Sequence, residues 1–197
     1  MVIRKSKSKS ALDPQHSFGL PLSQTYYEAA CILLEQIESK ISKPVPDKWF
    51  KDFLRVSAQS SLLPALFLVR HTIELMLKEV LCLKDIAQGA KKPKTRNMHN
   101  LHDLWDELRL AACDDFAEEF KERGVTLSTI LECIDQPINE LHSVDKPGTN
   151  FRYPEALEAN RLFPIDISEV RRQLDVIIEL LGELEKAYLA TIDYNDQ

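Results

Sequence analysis

Glycine is scarce, with five in 197 residues, too few for a strand-rich fold built on many tight turns. Cysteine is scarce too. The four thiols, Cys31, Cys82, Cys113 and Cys133, form no CxxC pair and lack the close ligand spacing of a zinc site. Three of them fall on apolar helical faces, where a free cysteine behaves as a small hydrophobe. No run approaches the roughly 18 apolar residues of a membrane span, so no membrane partner is expected. A basic balance is also missing. The net charge of −6 argues against a protein that coats nucleic acid non-specifically. The opening MVIRKSKSKS is basic without an apolar stretch behind it, so no secretory signal is expected and the expected compartment is the cytoplasm.

What is present is helical periodicity around one sizeable core: 44% of the residues are hydrophobic and 28% charged. Residues 1–20 read as a disordered basic tail, and 21–197 as a single helical domain. A first helix is expected after Pro21, capped by Ser23, with Tyr26, Ala30, Leu33, Leu34, Ile37 and Ile41 on its apolar face. Lys43-Pro-Val-Pro-Asp47 stops it, and a short segment follows around Trp49, Phe50, Phe53 and Leu54. Pro64 suits the first turn of the next helix. From Ala65 to Leu83 that helix is apolar almost all round, as the buried centre of a bundle is.

Asp85–Thr95, with KKPK inside, reads as a solvated loop. Asn100 or His99 then opens a helix through Leu101, Leu104, Trp105 and Leu108. A separate amphipathic segment is expected over Asp114–Arg123, closed by Gly124. Thr126 caps the next helix, which Pro137 interrupts or kinks. Asp166-x-x-Glu169 has the form of a capping box, leading into a long stripe of Val170, Leu174, Ile177, Leu181, Leu184 and Tyr188. The fold expected is all-α, one bundle of five to seven helices.

Three places carry candidate chemistry. Arg70, Glu74 and Lys78 stand at i, i+4 and i+8, so they share one face of the apolar central helix, with His71 beside them. Buried charges need partners, so the stripe is either a structural ion network or a ligand site. The loop Asp145-Lys-Pro-Gly-Thr-Asn-Phe-Arg-Tyr-Pro154 offers a second pair of readings. Phe151 and Tyr153 plug the bundle while Arg152 pairs with Glu74, or Arg152 and Tyr153 grip a phosphate and a base.

The third place is RNMHNLHDLW at 96–105. His99 and His102 at i, i+3 would suit a metal, but no third ligand stands at a recognisable spacing and Glu-x-x-His does not occur, so neither metal nor cofactor is expected. Arg96 and His102 satisfy R-x5-H, one form of the R-x4–6-H pattern of helical ribonucleases, which chance alone produces about once in a chain of this composition when its three spacings are counted together.

The ordered trio of R-x3-E-x3-K (Arg70, Glu74, Lys78), H-x-L-x2-L-W (His99, Leu101, Leu104, Trp105) and D-x5-F-R-Y-P (Asp145, Phe151, Arg152, Tyr153, Pro154) resembles the HEPN-like helical domains over roughly residues 60–190. The resemblance implies a four-helix core with added helices, a homodimer, and polar residues gathered at one groove. It places His99 at a helix start, where its ring caps backbone N–H groups or reaches the Arg70–Glu74 stripe, and leaves His102 more exposed. Family members with the full ribonuclease motif, R-x4–6-H at the start of a late helix, cut RNA without a metal. Here YPEALEAN follows Arg152, with no histidine in range.

The expectation is therefore a non-catalytic module binding RNA or a nucleotide through Arg70, Glu74, Lys78, His99, Arg152 and Tyr153, in a toxin–antitoxin or antiviral defence setting. One alternative is a metal-independent ribonuclease in which His102, His99 or His142 joins Arg96 or Arg152. The other is a protein-interaction module with no ligand.

Overall fold

Among the described residues the apolar periodicity folds into five helices, α1 (Gly19–Ile41), α2 (Lys48–Ala87), α3 (Leu101–Glu122), α4 (Leu127–Val144) and α5 (Ile167–Asn195). The computed structural model describes residues 19–42, 48–122, 124, 126–146, 148, 151 and 166–195, except the side chains of 19–21 and 48–59. Nearly all of the expected tail, the Lys43–Asp47 stop and the side chains of Trp49, Phe50, Phe53 and Leu54 lie outside the described residues. Among the described residues no strand occurs, and the architecture is an all-α bundle. Among them, too, no helix is long and apolar enough to cross a membrane.

α2 is the spine, 40 residues and about 60 Å long at 1.5 Å per residue. It packs on α1, α5 and α3, while α3 lies along α4 and both α1 and α4 touch α5. The core runs along α2 through Leu66, Val69, Ile73, Leu77 and Leu81. Around that line are buried Leu34 and Ile37 of α1, Leu104 and Leu108 of α3, Leu131 and Ile134 of α4, and Leu174, Ile177 and Leu181 of α5. Further along α5, Tyr188 is buried edge-on to Phe116 at 4.8 Å, and its hydroxyl donates to Asp115 at 2.9 Å. A buried tyrosine needs such a partner for its polar end.

Several local expectations give way to tertiary packing. Ser23 is not a cap: α1 begins at Gly19, and Ser23 lies buried inside it with its hydroxyl donating to Glu79. Pro64 is not in a first turn but inside α2. The ~3 kcal/mol cost of an interior proline is offset by Leu62, Leu66 and Val69, buried on either side of it at about 1.5–3 kcal/mol each. The segment at 114–123 is not separate, because Ala112 and Phe116 carry the buried stripe of Leu108 straight on along α3. α4 likewise continues through Pro137.

The helix starts fall near the expected places. Asn100 caps α3, its side-chain oxygen accepting from the backbone N–H of His102 at 3.0 Å and of Asp103 at 3.4 Å. Asp166 caps α5 in the same way through Ser168 and Glu169. Thr126 holds the cap position of α4 without a side-chain cap bond. The connection after α2 is not simply solvated: Asp85 is buried within α2 and takes the backbone N–H of Lys94 at 2.9 Å.

Candidate functional site

Helical spacing puts Arg70, Glu74 and Lys78 on one stripe of α2, and the bundle closes over the first two. Arg70 and Glu74 are each 2% exposed. Arg70 Nη1 donates to Glu74 Oε2 at 2.9 Å, and Nε lies 3.4 Å from the Asp145 carbonyl oxygen and 3.5 Å from its carboxylate. Nη2 donates to the backbone carbonyl of His99. One guanidinium thus joins α2, the residue before α3's cap and the residue that ends α4.

The turn after α4 is shaped to this side chain. Gly148 has φ +73°, and its N–H donates to the Asp145 carbonyl at 3.0 Å. A Cβ there would stand 2.8 Å from Arg70 Nη2. Glycine is required twice over, for the left-handed backbone and for the close approach.

The other oxygen of Glu74 faces the rim. Oε1 accepts from Lys78 Nζ at 2.8 Å and meets His99 Nδ1 at 2.7 Å. Burial pushes the Glu74 carboxyl up, but Lys78, His99 and Arg70 together hold it below its ordinary range. An ionised carboxylate only accepts, so His99 Nδ1 carries the proton of that bond and Nε2 turns outward. The His99 side chain is 60% exposed and that of Lys78 22%. Of the two roles expected for His99, the reach to the stripe is the one the structure has.

Arg96 belongs to a different cluster. It is buried, with Nη1 and Nη2 donating to Asp85 at 2.9 and 3.1 Å and Nη2 and Nε to Glu107 at 2.8 and 3.3 Å. Burial pushes the Asp85 carboxyl up, yet Arg96 and the Lys94 N–H bring it down to about 2. Arg96 therefore ties the α2–α3 connection to both helices.

His102 and His142, distant in sequence, stack at 6.0 Å where the start of α3 meets the end of α4. His102 Nε2 lies 3.4 Å from Asp106. Burial and the nearby charges of His102, Arg70 and Lys146 hold the His142 imidazole below its ordinary range. Its buried Nδ1 has no hydrogen-bond partner among the described residues. Arg152 and Tyr153 lie outside the described residues. Phe151 is buried and, with Leu66, Val69, Ile73 and Leu174, lines a cavity of about 290 Å³.

Two members of the network, Asp145 and Gly148, stand in the loop singled out from the sequence, but only Arg152 and Tyr153 of that loop are expected there as ligand-binding residues. The turn signal D-K-P-G carried them: an acid that ends a helix, and a glycine three residues on where the chain must reverse. Among the described residues no group of three or more histidine, cysteine or acidic side chains is placed to hold a metal ion. No protein-family model, curated protein or solved structure matches the chain.

Proposed function

We propose that the chain is a non-catalytic HEPN-like module that binds RNA or a nucleotide at the rim of the Arg70–Glu74 network, as a cytoplasmic homodimer in a toxin–antitoxin or antiviral defence setting. The dimer and the defence setting rest on the resemblance of the three ordered motifs. The binding reading rests on one observation: Lys78 and His99 converge on the same oxygen of Glu74. The other N–H protons of Lys78 Nζ and the second ring nitrogen of His99 are left over, on side chains 22% and 60% exposed, and such groups hydrogen-bond phosphate oxygens.

Arg70 and Glu74 then act as positioning residues, while Lys78 and His99 touch the ligand. Lys91 and Lys92, both exposed, add the electrostatic contact that the acidic bulk does not supply. Arg152 and Tyr153 remain part of the proposal as the grip on phosphate and base.

Fluorescence anisotropy of a labelled single-stranded RNA at low salt tests this. Lys78→Ala and His99→Ala should each weaken binding about tenfold, the scale of one charge-assisted hydrogen bond. Unchanged affinity in folded variants favours a protein-interaction module with no ligand. That second reading has its own support, because Arg70 is buried and its Nε, Nη1 and Nη2 are already engaged by Asp145, Glu74 and the His99 carbonyl.

A further inference from the structure

Glu79 follows Lys78 on α2 but points away from the rim, into the seam with α1 and α5. Ser23 of α1, itself buried, donates to Glu79 Oε2 at 3.1 Å. Oε1 is closed off from solvent and has no hydrogen-bond partner among the described residues. Glu79 is acted on from α5 by a second carboxylate, Glu185, also partly buried. Lys186 beside it is turned to solvent, with Nζ on Glu183 at 2.6 Å. On α2 itself the neighbour is the Cys82 thiol. Among the described residues no cation pairs with Glu79.

We infer that the Glu79 carboxyl is a pH-sensitive latch, holding the first turns of α1 on α2 when protonated and loosening them when ionised. A buried carboxylate without a cation is costly, whereas the neutral acid is tolerated. The contrast with Glu74 on the same helix is direct. There, cations surround the carboxylate; here burial first, and then Glu185, push the carboxyl up to about 7 against the pull of Ser23.

The sign follows from linkage. With α1 docked, Glu79 keeps its proton to about pH 7; with α1 lifted and water admitted, it returns to its ordinary 4.5. The lifted state therefore gains on the docked one as pH rises from 4.5 to 7, by at most about tenfold per pH unit, and levels off above. The hold is full in acid and gone by neutrality.

Hydrogen exchange on the full chain at pH 5.5 and pH 8, expressed as protection factors that remove the intrinsic pH dependence, reads the latch. The α1 amides should lose about tenfold protection or more at pH 8 relative to those of α3 and α4. Glu79→Gln should keep α1 equally protected at both values, and Glu185→Gln should reduce the loss. Wild-type α1 protection that does not change with pH overturns the inference. So does a Glu79→Gln or Glu185→Gln variant whose pH dependence matches wild type.

Discussion

Gly148 and Arg70 exclude each other's atoms: the space where a Gly148 side chain would begin is held by the Arg70 guanidinium, 2.8 Å from the Cβ position. Gly148→Ala is expected to destabilise the protein by at least ~2 kcal/mol. The left-handed backbone alone costs roughly 1–2 kcal/mol for a residue with a Cβ, and the guanidinium must also shift. Urea denaturation measures it.

Arg70→Met should cost more than Glu74→Gln. Removing the arginine leaves two buried carboxylates, Glu74 and Asp145, without it at one stroke, a loss of about 3–5 kcal/mol by analogy with broken buried pairs. Glutamine at 74 keeps a carbonyl acceptor for Arg70, so about 1–3 kcal/mol is expected. Equal losses in chemical denaturation would mean that Asp145 contributes nothing to holding Arg70.

How far the sequence reveals this arrangement depends on distance along the chain. The stripe of Arg70, Glu74 and Lys78 is legible because a helix fixes neighbours four residues apart. Asp145 and the His99 carbonyl are not, since only the packing of α2 against the ends of α3 and α4 brings them in. Pro64 misleads because its local preference for a first turn is outweighed by the buried leucines around it. Glu79 is not legible either: it follows Lys78 in the chain, yet one side chain faces the rim and the other a seam that only the packing of α1 and α5 on α2 encloses.

Acid should weaken the protein through Asp85. Its folded value of about 2 lies below its ordinary 3.8, so its contribution is present above pH 3.8 and is lost as pH falls towards 2. Asp85→Asn should flatten the fall in stability over that window, read from urea midpoints at successive pH values. An unchanged acid limb would show that other carboxylates set it.

RNA incubated with the protein without metal should stay intact, with wild type as with His102→Ala and His142→Ala. The guanidinium of Arg96 is taken up by Asp85 and Glu107, which leaves the R-x5-H pair without an arginine open to phosphate. Cleavage by wild type that disappears in folded His102→Ala would establish a ribonuclease instead.

The most direct measurement is histidine-ring NMR of the full chain during titration with a short single-stranded RNA. His99 carries its Nδ1 proton to Glu74 and turns Nε2 outward at the proposed rim. Its ring signals should shift and saturate, while those of His71, packed between Tyr26 and Phe67, stay in place. A His99 ring that does not move through the whole titration contradicts the account.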